Sequence, residues 1–236
     1  MNERELLESG LAALALDFSP QSVDNLLRFS ELLLEKNKVM NLTAVTDPRE
    51  VVTRHFLDCA AVIPYMDLRQ GRTVLDVGTG AGFPGLPLAV LCPQCEFVLL
   101  DAQRKRVDFL KKVIAALGLT NCTAVHARAE DFAGEHRASF DAAVSRAVAE
   151  LRVLCELALP MVKTGGAFFA MKAADCQDEV DAAANARAVL GAPRAEVFRY
   201  AVPVDGVARA VVRLEKTADC PPQYPRRFKK IETQPL

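Results

Sequence analysis

From residue 72 the chain alternates between short apolar runs and helix-length segments, and that alternation constrains its fold more than any other feature. The runs are TVLDV (73–77), EFVLL (96–100), CTAVH (122–126), SFDAAVS (139–145) and GAFFAMK (166–172). Segments 84–92, 102–118, 147–162 and 175–190 are long enough for helices. A strand, a crossing helix and a second strand make a parallel pair, because the helix must return along one face of the sheet. Repeating the unit gives a doubly wound α/β sheet covered on both faces. Two later runs, EVFRYAV (196–202) and RAVVRLEK (209–216), are separated only by the turn at Asp205-Gly206. No helix fits between them, so they are expected to be antiparallel neighbours.

Residues 1–68 read differently. Leu6, Leu7, Leu11 and Leu14, then Leu26, Leu27, Leu33 and Leu34, recur at helical spacing. Ser19-Pro20 suits a helix start, and a further helix is expected after Asp47-Pro48, through RHFLDCAAVIPYM. The expected division is a helical N-terminal extension over 1–68 and a Rossmann-like domain over 69–236.

No apolar run approaches the roughly 18 residues of a membrane span, and the acidic start MNERELLESG lacks a secretory signature. A cytoplasmic protein without membrane contact is expected. The seven cysteines are scattered through apolar segments, which suits reduced, packed thiols. Cys92 and Cys95 form a lone CxxC with neither a second pair nor a nearby histidine, so no metal site is expected. Net charge is only −1, but its distribution is uneven. RKRVDFLKK (104–112) carries five bases and one acid, and PPQYPRRFKK (221–230) four bases and no acid. Arg104, Lys105, Arg226 and Arg227 in these patches are candidate phosphate contacts, although a solvated helix face and a solubilising tail explain them equally well.

The stretch VLDVGTGAGFPG (74–85) leaves a strand through a glycine loop, where an α/β sheet binds its ligand. Gly80, Gly82 and Gly85 spell the dinucleotide fingerprint, a weak signal alone. Asp76 argues against a pyrophosphate, which its carboxylate would repel, and for S-adenosylmethionine, whose sulfonium and ammonium groups it would attract. Asp101 closes the second strand 23 residues after Gly78, where an acid accepts ribose hydroxyls. Ala129-Glu130 follow the third strand, placed for an adenine edge. Each acid taken singly also fits a helix cap or an exposed strand end.

The segments NLTAVTDP (41–48), RHFLDC (54–59), DVGTGAGFPG (76–85), LLDAQRKRVDFL (99–110), RAED (128–131), SRAVA (145–149) and YPRR (224–227) occur in that order. Together, over residues 21–231, they resemble the bacterial 16S ribosomal RNA guanine-N7 methyltransferases, also called glucose-inhibited division protein B. Departures from the family pattern are Met40, Cys59 and Ala173, where tyrosine, serine and glycine are common, and a tail after YPRR without the usual glycine-containing run. The resemblance implies a class I S-adenosylmethionine-dependent methyltransferase fold and methyl transfer to a guanine of 16S rRNA, as naked RNA or within the small ribosomal subunit. It places cofactor contacts on Gly78, Phe83, Ala129, Glu130 and Arg146, with Gly80 and Asp101 in the same loop system. Asn41, Arg54, His55 and Asp58 would border the cleft from the helical lobe, though Asn41 also suits a helix cap and His55 a buried, hydrogen-bonded ring. Lys172, closing the fifth strand, would reach phosphate or base, or else snorkel to solvent. A monomer is expected.

Guanine N7 has a free lone pair, so the transfer needs alignment and no general base. That fits the lack of a catalytic dyad in the sequence. An arginine aimed at N7 would compete with methylation, so Arg146 is expected to grip the cofactor carboxylate or an RNA phosphate. A methyltransferase acting on a protein or small molecule, and a non-enzymatic cofactor-binding regulator, are the alternatives. A closed apolar lid would mark the first, and lack of turnover with ribosomal RNA the second.

Overall fold

A computed structural model describes residues 1–236. Its sheet consists of β1 (Thr73–Val77), β2 (Glu96–Asp101), β3 (Cys122–His126), β4 (Phe140–Arg146), β5 (Val162–Ala173), β6 (Ala195–Ala201) and β7 (Ala208–Glu215), arranged β3-β2-β1-β4-β5-β7-β6. β1 to β5 are mutually parallel, and β7 inserts antiparallel between β5 and β6. The mainly parallel sheet and the antiparallel final pair match the expectation from sequence. Strand order reverses between β1 and β4, which opens the crevice where such sheets bind ligands.

The sheet separates two apolar layers, because successive strand side chains point to opposite faces. Val74, Ala142, Val144, Phe169 and Met171 face one layer, and Leu75, Ala143, Phe168 and Ala170 the other. The first layer receives α1 (Glu3–Ala13), α2 (Pro20–Met40), α3 (Pro48–Val51), α4 (Asp58–Ala60), α5 (Gly85–Leu91) and α6 (Arg104–Leu117). Leu7, Leu11, Leu26, Phe29 and Leu33 are fully buried there, so the N-terminal helices share one core with the sheet. Each such side chain contributes roughly 1.5–3 kcal/mol of transfer free energy. The second layer receives α7 (Ala129–Glu135), α8 (Leu151–Ala158), α9 (Gln177–Ala182), α10 (Ala184–Val189) and α11 (Phe228–Thr233).

Helix starts follow capping chemistry. Asn2 forms a reciprocal box with Glu5, Ser19 accepts from the Ser22 N–H ahead of Pro20, and Asp47 accepts from Arg49 and Glu50 ahead of Pro48. Between α3 and α4 the chain forms a π-helical segment, Val52–Leu57, which carries Arg54 and His55. Such widened turns recur at functional sites. Several elements differ from the sequence reading. The segment expected to be helical from 147 to 162 begins as a loop, with Ala147 at φ +56°, and becomes helical only at Leu151. α7 and α11 were not expected: each is short and buries a single residue, Ala133 or Ile231, which leaves no periodic apolar face to read.

Candidate active site

A cavity of about 490 Å³ lies at the carboxyl ends of β1, β2 and β4, within the size range of cofactor sites. Its floor is the loop after β1. Gly78 and Thr79 donate their N–H groups to Leu100 O of β2 at 2.9 and 3.0 Å, while Gly82 and Phe83 donate to Thr79 O at 2.9 Å. Asp101, 5% exposed, ties the loop down further: Oδ2 accepts from the Gly80 N–H at 2.9 Å and Oδ1 from the Gln103 N–H at 2.8 Å. Gly78 has φ +72°, and a Cβ there would point to Val148 Cγ2 at 2.7 Å, across space the cavity needs. Ala129 and Glu130, at the start of α7, form the wall beyond β3. Gly78, Gly80, Phe83, Asp101, Ala129, Glu130 and Arg146 thus all line one cavity.

Asp76 does not. It is fully buried beneath the loop, and its Oδ2 accepts from the Gly85 N–H at 2.8 Å. Its expected place beside a cationic cofactor is corrected to an internal brace. The brace explains the last glycine of GFPG, since a Cβ on Gly85 would lie 2.3 Å from Leu99 and 2.7 Å from Asp76 Oδ2. Burial pushes the Asp76 carboxyl up to about 7.

A second cavity of about 400 Å³ adjoins the first and shares His55, Arg146 and Ala147 with it. Arg54, Asp58 and Lys172 line it, joined by Tyr200 and Arg209 from β6 and β7. Arg146 does not stand free for an anion. Its Nη1 pairs with Asp58 Oδ2 at 2.9 Å, Nη2 lies 3.3 Å from His55 Nδ1, and the guanidinium sits 4.9 Å over the Phe83 ring. Asp58, 4% exposed, also faces Arg209 Nε at 3.6 Å. His55 packs against Phe83 with centroids 4.5 Å apart and the rings tilted by 34°, and its Nε2 meets Thr43 Oγ1 at 2.9 Å. If Nδ1 accepts from Arg146, Nε2 holds the proton and donates to Thr43; the other tautomer donates from Nδ1 to Arg54 O, 3.0 Å away. Burial, with Arg146 adding to it, depresses His55 to about 4, so the ring is neutral at physiological pH.

Other candidates are taken up by the fold. Lys172 Nζ bonds Glu179 Oε1 at 2.5 Å and Ala149 O at 2.9 Å, so it is paired within the protein and does not reach out to phosphate. Arg226 is likewise corrected: it clasps the fully buried Glu156 with Nε at 2.8 Å and Nη2 at 2.6 Å, and its backbone N–H adds a third bond. Arg227 is exposed at the start of α11, and Arg54 pairs with Glu50 at 3.2 Å. Asn41 is the left-handed cap ending α2, at φ 49° and ψ 55°, outside both cavities. Arg104 and Lys105 lie exposed on α6. The sequence reading missed Thr43, Arg106, Arg128, Val148 and Phe228 at the first cavity and Tyr200 and Arg209 at the second. Only the basic residues gave a readable signal, through their charge.

Asp101→Ala is expected to weaken S-adenosylmethionine binding by ~1.5–3 kcal/mol, the worth of hydrogen bonds to a charged group. Calorimetry on the folded variant checks it, and unchanged affinity would reduce Asp101 to a strand terminus.

Asp76 and His55 act oppositely on stability. Asp76 holds its proton up to pH about 7 when folded but only to about 3.9 when unfolded, so its contribution is full below about pH 4 and lost as pH rises through 7. His55 titrates at about 4 folded and about 6.5 unfolded, so its contribution is full above about 6.5 and lost as pH falls through 4. Each slope is at most ~1.4 kcal/mol per pH unit, and over the shared window they offset. Urea unfolding from pH 4.5 to 7 should show Asp76→Asn losing stability as pH falls, and His55→Gln gaining it. Parallel curves for both variants would contradict this account.

The chain matches the family described as rRNA small subunit methyltransferase G over residues 22–218. A Ribosomal RNA small subunit methyltransferase G from Desulfitobacterium hafniense (strain Y51) is 41% identical over 225 residues, 94% of this chain and 93% of the relative. One from Alkaliphilus metalliredigens (strain QYMF) is 41% identical over 229 residues, 96% of each chain. Among solved structures, a methyltransferase from Pyrococcus furiosus superposes with a TM-score of 0.59 at 17% identity, covering 81% of this chain and 97% of that one. M. jannaschii TYW2 in complex with AdoMet gives 0.50 at 18% identity, covering 62% and 68%. At such identities the structural likeness carries the fold, a class I methyltransferase sheet. The sequence matches carry more, and by them the chain belongs to the rRNA small subunit methyltransferase G family.

Proposed function

We propose that this chain transfers the methyl group of S-adenosylmethionine to N7 of a guanine in 16S rRNA. Membership of its family makes it a methyltransferase of small-subunit ribosomal RNA; the atom and the residue roles are our reading. The observation that carries it is a glycine-floored cavity at the switch point, joined through Arg146 to a second cavity rimmed by arginines. The cofactor fits the first. Gly78 and Gly80 leave room for it, Asp101 keeps lone pairs for ribose hydroxyls, and Ala129 with Glu130 flank the expected adenine edge. When bound, S-adenosylmethionine supplies an electrophilic methyl group on a cationic sulfur.

The remaining work is alignment. A guanine entering the second cavity meets the first at the wall of His55, Arg146 and Ala147. Methylation leaves a positive charge on the ring, which a bare arginine would oppose. Asp58 at 2.9 Å offsets the charge of Arg146, and the neutral His55 adds none. No side chain has to accept a proton, because N7 is unprotonated before attack. The wall therefore positions and screens, holding base and donor about 3 Å apart. N7-methylguanine makes RNA cleavable by borohydride and aniline, so the test compares 16S rRNA from a deletion strain with and without the restored gene. One cleavage site should vanish on deletion and return on complementation. An unchanged pattern would overturn the assignment to N7.

A further inference from the structure

Outside both cavities, a groove of about 710 Å³ runs between the last turns of α2 and the exposed side of α6. Phe109 and Val113, both buried, form its floor. Met40 and Val39 form the rim toward α2, and Val39, at 77% exposure, is the most exposed large apolar residue of the chain. Lys36, Lys105 and Lys112 stand around this apolar strip, and Lys38, Arg104 and Lys111 continue along the same two helices. None of these six cations has a carboxylate within 4 Å, whereas Arg4, Arg28, Arg54, Arg72, Arg106 and Arg213 are each paired. Glu35 and Asp108 also line the groove, so with the three lysines its lining carries a net charge of +1.

The groove and the cofactor cavity are lined by neighbouring stretches of the chain at two places. Met40 leads within three residues to Leu42 and Thr43, and Lys105 precedes Arg106; Leu42, Thr43 and Arg106 all line that cavity. A strand that places one base in the second cavity has this rim as a seat for a neighbouring nucleotide. Proteins hold single-stranded nucleic acid by a face on which a base stacks, most often an aromatic ring, and by cations against the phosphates; Val39 and Met40 above Phe109 offer an apolar face here. We propose that the groove holds an unstacked nucleotide of single-stranded 16S rRNA, flanking the methylated guanine. The proposal rests on the ribosomal RNA reading above and gives the RNA a path that neither the family match nor the cavity geometry assigns. A protein helix would fill the same volume, but three lysines around the apolar strip, none paired with a carboxylate, suit a polyanion.

The test uses the full chain and small ribosomal subunits reconstituted with 4-thiouridine-substituted 16S rRNA. Irradiation should join RNA to peptides containing Val39–Met40 or Lys105–Val113. Lys36→Glu with Lys112→Glu should raise the KM for these subunits at least tenfold. For protein-free transcript the same pair should flatten the salt dependence of binding by roughly 0.7 for each phosphate that is no longer neutralised. Val39→Asp should also raise KM, which a merely solvated position would not do, and calorimetry with S-adenosylmethionine should show unaltered affinity in both variants. A KM within twofold of the parent, or RNA crosslinks that leave both groove peptides unlabelled, would overturn the proposal. If the unmodified chain leaves the subunits unmethylated, the ribosomal RNA reading itself fails, an outcome visible before any variant is made.

Discussion

Arg226→Ala lowers the stability of the fold by about 3–5 kcal/mol, the cost of leaving one partner of a buried ion pair uncompensated. Glu156 is fully buried and receives three hydrogen bonds, all from Arg226. Arg137 reinforces the same segment by donating to the carbonyls of Cys220, Pro221 and Tyr224. Replacing both partners, Glu156→Met with Arg226→Met, should recover most of the loss, because two buried charges then become apolar contacts. Urea denaturation of the single and double variants decides it. A single variant within about 0.5 kcal/mol of the parent, the usual range for a surface position, would make Arg226 a free surface cation after all.

Gly78→Val removes S-adenosylmethionine binding, with at least a 100-fold loss of affinity, about 2.7 kcal/mol. Two effects combine. At φ +72° a branched side chain meets backbone strain, and its first carbon already lies 2.7 Å from Val148 Cγ2. Relief by moving Val148 would push the loop after β4 against Arg146, which sits between the cavities. Gly80→Ala is the companion: a Cβ there meets nothing closer than 4.0 Å, so only the strain of φ +61° applies and the loss should be smaller. Equal affinity in a folded Gly78→Val variant would remove this loop from the site.

The sheet and the glycine loop were legible because their signals are local. Five apolar runs at regular spacing, and a turn too short for a helix between 202 and 209, determine strand type and direction without knowledge of the partners. The residues expected to hold the cofactor line one cavity for the same reason, since each lies at or shortly after the end of a strand. Asp76 was misplaced because sequence gives its position on β1 but not which way the next turn folds; the Gly85 N–H claims it from the far side of the loop. Arg146 was expected on a carboxylate or phosphate and Arg226 on a phosphate, because their partners Asp58 and Glu156 lie 88 and 70 residues away. Tyr200 and Arg209 reach the second cavity only through register. β7 sets Arg209 opposite Ala173 of β5, and β6 sets Tyr200 opposite Arg209. No periodicity in either strand announces that.

Phe228 forms part of the wall of the cofactor cavity, beside Leu157, and it lies beyond every strand in the chain. Translation proceeds from the N-terminus, so the sheet, the glycine loop and Asp101 all leave the ribosome before this wall exists. During that interval Glu156 has no counter-ion and the cavity is open along α8. A nascent chain halted before Arg226 therefore holds a finished sheet around a pocket that still lacks Phe228.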